Sequence, residues 1–418
     1  MSFADALSYL LSLGHETLTI KLGLANTETL LNALGNPHKS LPSVQIAGTN
    51  GKGSTAVMLE SICRAAGIRV GLFTSPHLIS ITERIRIDGV EISETEFARL
   101  TENIKQTAEE LVEHGDLQTL PTFFEHVTAI ALLAFDHANV ELAILETGLG
   151  GRLDSTTAAR ARVVAITPVS MDHEEYLGNT LREIAAEKAA IIRPGVTAIV
   201  APQQQEAMAV IQRRCDEVGV RPILSDLATL NPPYQNVRLG LRGQHQITNA
   251  ATAIALAEAL RDHGFNISSP AIVKGLESAQ HAGRLELWEG EPPILFDGAH
   301  NPAAARALRA YLDEFVDQPI TMIFGAMRDK ALDEIAANLF PAADRIVLTP
   351  LDNPRAATID QLKAAAPPEF DRSKLYHAES VEQAISTALE LAGHSSMILV
   401  TGSLYLIGAV QKSHVAVR

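Results

Sequence analysis

Residues 44–54, VQIAGTNGKGS, constrain this chain more tightly than any other segment. A short run rich in β-formers breaks into three glycines, Gly48, Gly51 and Gly53, around the single lysine Lys52, and helical patterning resumes over residues 54–66. A strand that feeds a helix through a glycine-rich turn is half of a βαβ unit, so it calls for α/β layers around a mainly parallel sheet. Glycines let backbone N–H groups approach an anion, and a helix N-terminus adds donors and partial positive charge. Lys52 adds a full charge, and the Ser54 hydroxyl suits a phosphate-bound magnesium ion. The spacing is a variant of the usual P-loop: Gly53 separates Lys52 from the hydroxyl, and Ile46 stands in place of the first glycine. Glycines alone would serve an ordinary turn. Lys52 and Ser54 shift the reading toward a nucleoside triphosphate.

The alternation continues along all 418 residues, a length that accommodates two or three domains. Apolar runs predict strands near 44–47, 69–73, 140–145, 162–167 and 197–201, with helices near 54–66, 94–114, 122–138, 180–193, 204–218 and 249–263. Residues 226–242, richer in Pro, Asn and Gly, are expected to hold irregular β-structure. Around residues 278–293 the pattern changes, and a second alternation follows, with strands near 294–297, 320–325, 345–349 and 397–401. Its helices are expected near 302–314, 330–339, 359–366 and 380–392. A domain boundary near residue 284 is therefore expected, giving segments 1–284 and 285–418, with no internal repeat.

A net charge of −15 disfavours nucleic acid or an anionic membrane as partner. The two cysteines, Cys63 and Cys215, have no metal-type spacing and fit a reducing compartment. No leader pattern opens the sequence and no apolar stretch reaches the length of a membrane span, so a soluble, cytoplasmic protein is expected.

In open α/β sheets ligands bind beyond the carboxyl ends of the strands. Several polar residues follow those ends: Thr74, Ser75 and His77 after VGLF, Glu146 after VELAIL, Asp172 and His173 after VVAIT. One such acid could be a helix cap and one histidine structural. Together with the glycine loop they describe a phosphate and metal site. Ser54, Ser75 and Glu146 suit magnesium, while His173 fits a second, less tightly held metal. Lys188 lies on the apolar face that Leu181, Ile184, Ile191 and Ile192 define by helical spacing. Two readings follow: a lysine whose stem packs while its ammonium reaches water, or a buried neutral amine able to add carbon dioxide. Thr122 and Glu125, three apart after Pro121, form a capping box, and Phe123 and Phe124 read either as core or as a stacking surface for a flat heterocycle. In the second segment Asn301 and Pro302 are explained as a helix start, but Asp297 and His300, again at a strand's carboxyl end, are not.

In order along the chain stand GTNGKGS (48–54), SPHL (75–78), TFFE (122–125), ETGLGGRLD (146–154), DHEEYLG (172–178), EKA (187–189), GQHQITNA (243–250), DGAHNP (297–302) and FGAMRDK (324–330). With this ordered set the chain resembles the folylpolyglutamate synthase and dihydrofolate synthase family of the Mur ligase group. The resemblance implies a P-loop, Mur-ligase-type ATPase domain followed by a smaller Rossmann-like α/β domain. It implies that Asn50, Gly51, Lys52, Gly53 and Ser54 hold the ATP phosphates and that Asn249, Arg284 and Asp297 also contact ATP. Ser54, Ser75, Glu146 and His173 would ligate Mg2+ at two sites, with K+ or another monovalent cation as a further candidate. Lys188 would be carbamylated and face the metal. Leu22, Gly23, Leu24, Thr122, Phe123, Phe124, Glu125, Arg152, Leu153 and Asp154 would line the pteridine-substrate site, and His300 would lie near incoming glutamate. Three positions depart from the family pattern: Thr157 replaces Asn, Ala190 replaces Gly, and Ala282 replaces the Pro before the Gly-Arg pair.

The implied activity is that of an ATP-dependent ligase: a dihydropteroate or folate carboxylate is phosphorylated by ATP, and L-glutamate displaces the phosphate. Lys52, Lys188 and His300 are the catalytic candidates, and a monomer is expected. Two rivals remain at this point, another Mur-type amino-acid ligase and a non-catalytic nucleotide-binding module. The sequence holds no NKxD-like guanine-reading motif, which weakens a switch protein as the second.

Overall fold

The computed structural model describes residues 1–14, 23–226, 233–393 and 396–415. They divide into two compact units, residues 1–76, 82–240 and 247–279 in the first, and 77–81, 241–246 and 280–418 in the second.

The first unit is built on an eight-stranded sheet. In chain order its strands are β1 (Ser43–Ala47), β2 (Val70–Phe73), β3 (Ile85–Ile87), β4 (Val90–Glu91), β5 (Leu142–Glu146), β6 (Val163–Ile166), β7 (Thr197–Val200) and β8 (Ile223–Leu224). Their spatial order is β4-β3-β2-β5-β1-β6-β7-β8, parallel except for the β2-β3-β4 edge. Central strands of such a sheet are covered on both faces, which is why β1, β2, β5 and β6 are buried at every residue. On one face Ala47, Val164, Ile166, Ala198 and Val200 pack with Ile184, Ala185 and Ile211 of covering helices. The register aligns the strand ends: Ile46 of β1 lies beside Glu146 of β5, and Ala47 beside Ile166 of β6.

The second unit holds a six-stranded sheet of β9 (Glu286–Trp288), β10 (Ile294–Asp297), β11 (Ile320–Phe324), β12 (Arg345–Leu348), β13 (Leu375–His377) and β14 (Met397–Thr401), ordered β13-β12-β11-β14-β10-β9. All pairs are parallel except β9 with β10. Strand alternation sends Leu295, Met322, Phe324, Ile346, Leu348 and Leu399 into one core and Phe296, Ile323, Val347, Ile398 and Val400 into another. Both faces are therefore covered, the doubly wound arrangement expected of the second segment.

Three expectations need correction. The helix after the glycine loop starts at Lys52 rather than Ser54, because Gly51 turns left-handed as its N-cap. The described part of segment 226–242, residue 226 and residues 233–242, is turn and loop without a strand, while 227–232 lies outside the described residues. The sequence reading also passed over the helices Phe3–Ser12, Ala25–Ala33 and Ser269–Ser278.

Candidate active site

The phosphate-type loop lies at the carboxyl end of β1. Its entry is clasped by the segment after β6: the Thr49 and Asn50 N–H groups both donate to the Pro168 carbonyl, at 3.0 and 3.1 Å. The Asn50 amide donates to Ser170 Oγ at 3.0 Å, and Thr49 Oγ1 donates to the Ser170 carbonyl at 3.0 Å. Gly51 has φ 85°, and a Cβ there would collide with the side-chain oxygen of Asn249. The loop and the helix bearing Asn249 (His245–Asp262) are thus packed with no room for a side chain at Gly51. Lys52 Nζ donates back to the Thr49 carbonyl at 3.3 Å, and Ser54, in the first helical turn, is buried.

Lys188 comes to this loop from the helix Leu181–Ala189. It is buried, as its place on the apolar face required, and Nζ donates to the Gly48 carbonyl at 2.9 Å. Burial first, then the charge of Lys52, pushes its amine down to about 7, with Asp172, Asp154 and Glu187 opposing. With only 5% of its surface exposed, Lys188 follows the buried reading rather than the snorkelling one. The ETGLGGRLD segment packs on the same helix. Gly151 approaches the Glu187 carbonyl so closely that a Cβ would lie 2.9 Å from it, and the Arg152 guanidinium pairs with Glu187 at 2.9 Å.

At the neighbouring strand ends the Ser75 N–H donates to Glu146 Oε2 at 3.1 Å. His173 adopts a left-handed conformation (φ 53°) and its N–H donates to Asp172 Oδ1 at 2.9 Å. Among the described residues, three or more His, Cys, Asp or Glu side chains do not gather as a metal cluster. The donor chemistry at Ser54, Ser75 and Glu146 instead fits a magnesium ion that takes few protein oxygens and completes its shell with phosphate and water.

The residues expected around a pteridine separate into framework and surface. Glu125 accepts the Thr122 N–H at 2.7 Å in the capping box of the helix Phe123–His137, and its other oxygen accepts the Thr27 hydroxyl at 3.1 Å. Phe123 is buried, with the Arg84 guanidinium 5.4 Å from its ring centroid. Asp154 accepts from the Leu149 N–H at 2.9 Å and from the Thr156 N–H at 3.0 Å, and also from the Thr156 hydroxyl. Burial pushes its carboxyl up, against those hydrogen bonds. Thr122, Phe124 and Leu153 are half-buried and Arg152 is exposed; the Phe124 ring lies 5.8 Å from that of Phe73 and fills the space beside Gly148. Gly23 is half-buried, Leu24 precedes the helix Ala25–Ala33, and Leu22 lies outside the described residues. Thr157, one of the departures, is satisfied: it donates to the Gly151 carbonyl and accepts the Gln45 amide, both at 2.7 Å.

The framework role of Asp154 has a measurable consequence. Asp154→Ala strands the buried Thr156 N–H and the part-buried Leu149 N–H and is expected to cost about 2–4 kcal/mol of stability, read as a lowered denaturant midpoint, with Asp154→Asn milder.

The second unit brings together its own group. Asp297, the last residue of β10, lies beside Thr401 of β14 and accepts the Leu285 and Ala299 N–H groups, each at 3.0 Å. Burial raises its carboxyl, opposed by Arg284 and by His245, whose imidazole burial lowers. His300 Nδ1 is 2.7 Å from the Gly298 carbonyl, and Asn301 caps the helix Pro302–Phe315 through the Ala304 N–H at 2.9 Å.

Sequence reasoning missed two contributors. Arg84 is among the largest fully buried side chains, and its signal was a charge inside the apolar alternation ITERIRI. His245 faces Asp297, and only its place in GQHQITNA marked it.

Domain-level similarity gives this site its class. Residues 46–225 match the Mur ligase middle domain, and residues 283–404 match the Mur ligase, glutamate ligase domain. These are the domains of ATP-dependent ligases, and the chain is an enzyme of that class. Full-length relatives narrow it. The dihydrofolate synthase/folylpolyglutamate synthase of Bacillus subtilis is 34% identical over 98% of this chain and 99% of its own. The structure of Escherichia coli FolC in complex with DHPP and ADP superposes with a TM-score of 0.87 at 33% identity, covering 100% of this chain and 99% of that one. That of Mycobacterium tuberculosis folylpolyglutamate synthase complexed with ADP and AMPPCP gives 0.88 at 32%, covering 98% and 99%. The chain belongs to the dihydrofolate synthase/folylpolyglutamate synthase family. Among the described residues no helix is long and apolar enough to cross a membrane.

Proposed function

We propose that this enzyme joins L-glutamate to the carboxylate of dihydropteroate, of a reduced folate, or of both, at the expense of ATP. The observation that carries the reading is Lys188 held against the Gly48 carbonyl of a P-loop-type turn, with a buried amine pushed down to about 7. A nucleotide-binding module has no need of that arrangement. The substrate carboxylate attacks the γ-phosphorus of ATP; the bond to ADP breaks and an acyl phosphate forms. The glutamate amine then attacks the acyl carbon, loses a proton, and phosphate departs as the amide forms. Lys52 and the loop N–H groups offset the charge spread over the transferring group. Ser54, Ser75 and Glu146 would hold magnesium, which would supply further charge neutralisation, and His173 would serve a second cation. The neutral Nζ of Lys188 would add carbon dioxide, an N–C bond forming and a proton leaving to solvent, and the resulting carbamate would offer an anionic oxygen toward the cation.

Asn50, Gly51, Gly53 and Asn249 complete the ATP contacts on the loop side; Arg284 and Asp297 are assigned ATP contacts as well, and His300 is assigned to the incoming glutamate. On the substrate side Phe124 is assigned the stacking contact, with Thr122, Arg152, Leu153, Gly23 and Leu24 around it. Phe123, Glu125 and Asp154 act through position, because their rings and oxygens are already occupied.

The test is an ATP, magnesium and glutamate assay. Amide formation with dihydropteroate or tetrahydrofolate, and none with a UDP-sugar peptide, is the expected outcome. Phosphate release indifferent to both glutamate and pteridine would overturn the proposal in favour of a nucleotide-binding module.

A further inference from the structure

At the amino ends of β1, β5 and β6, the edge of the sheet opposite the phosphate loop, a cleft of about 1010 Å³ opens beside Ser43, Leu142 and Val163, the first residues of those strands. At ~3.3 Å per strand residue it lies about 13 Å from the loop along β1. Its surface has two characters. Leu41, Pro42, Ala159, Leu260 and Phe265 provide an apolar floor. Lys39, Arg160 and Arg162 stand around it with His38 and His263, against the carboxylate of Glu28. In a chain of net charge −15 that excess of cations runs against the overall field.

The cations are positioned by backbone, not by pairing. Arg160 closes the short helix Ser155–Ala159 in a left-handed conformation (φ 51°), a costly one for a β-carbon-bearing residue. Its guanidinium meets Glu28 at 3.3 Å but is 74% exposed, so the pair is weak and the donors remain open to a ligand. Arg162 is fixed where its carbonyl accepts the Thr197 N–H at 2.9 Å, at the entry to β6. We infer that this cleft binds a small organic anion carrying two or more carboxylate or phosphate groups on an apolar body. The apolar floor takes the body, and Lys39, Arg160 and Arg162 take the charges, as bidentate guanidinium groups favour. This site is separate from the proposed catalytic edge and does not depend on the substrate assigned there.

His38 supplies a reporter. Burial, then Lys39 and Arg160, hold its imidazole below the ordinary range, with Glu28 opposing. An anion seated among those cations offsets them and raises it. The experiment follows the His38 resonance, assigned with His38→Gln, during titration of the full-length protein with isophthalate while ADP and magnesium occupy the phosphate loop. Isophthalate is expected to raise the His38 pKa, and succinate, with the same charge but no ring, to bind at least about tenfold more weakly. Arg160→Asn with Arg162→Gln is expected to weaken isophthalate at least about tenfold with an unchanged melting temperature. Lys39→Gln, on an exposed side chain, provides the second variant should the double one unfold. An unmoved His38 resonance, equal binding of succinate, or undiminished binding in the variants would overturn the inference.

Discussion

Lys188→Ala is expected to lower kcat by about a thousandfold, ~4 kcal/mol of transition-state stabilisation, with the protein still folded. Burial is the first cause. An ordinary lysine with a pKa near 10.4 is almost entirely ammonium at neutral pH and cannot add carbon dioxide. Lys188, pushed down to about 7, is a neutral nucleophile for much of the time, and its nitrogen is already held 2.9 Å from the loop carbonyl of Gly48. Added formate or acetate should restore part of the lost activity in the alanine variant, by placing a carboxylate where the proposed carbamate would stand. Full activity in the variant, without any added acid, would remove Lys188 from the mechanism. The same shift has a stability sign. Between about 7 and 10.5 the unfolded chain holds a proton that the folded one lacks, so stability rises with pH through that window, and the whole penalty is present below it. Lys188→Met should therefore melt higher than the parent below pH ~7 while losing activity. The gain is reduced by the Gly48 carbonyl losing its donor.

Why Lys188 was legible and the amino-edge cleft was not is a matter of how each is encoded. A cation at helical spacing among Leu181, Ile184, Ile191 and Ile192 conflicts with its surroundings within one short segment, and a conflict of that kind is visible without coordinates. The strands were legible for the same local reason: VQIA, VGLF, LAILE and VVAI are buried on both faces and so read as continuous apolar runs. The cleft draws Lys39, Arg160 and the neighbours Leu260 and His263 from three distant stretches, each unremarkable by itself, and only the fold brings them together. Glu125 and Asp154 show the complementary limit. Their motifs were visible, but whether a carboxylate faces a ligand or the backbone depends on where the Thr27 hydroxyl and the Leu149 N–H end up. The helix start at Lys52 was misplaced by two residues because Gly51 spends its freedom on a left-handed cap, a geometry that the letters G-K-G do not distinguish from a longer loop.

Lys52→Met should be as damaging as the loss of Lys188, about a thousandfold in kcat, but part of the damage should be indirect. Among the described residues Lys52 donates to the Thr49 carbonyl alone, so the substitution is expected to leave the fold intact. Its ammonium is, after burial, the largest influence lowering Lys188. Removing that charge lets the Lys188 amine rise, leaves more of it protonated at neutral pH, and makes carbamate formation harder. The acidic limb of the pH–rate profile should then move to higher pH in Lys52→Met, and raised pH with added bicarbonate should recover a portion of the lost rate. Lys52→Arg retains the charge but not the point-like ammonium, so it should lose rate without moving that limb. In the double variant Lys52→Met/Lys188→Ala the loss should be smaller than the product of the two single losses, since each removes part of what the other needs. A pH limb that stays in place in Lys52→Met, with strictly multiplicative losses, would mean that the two lysines act independently despite sharing one loop.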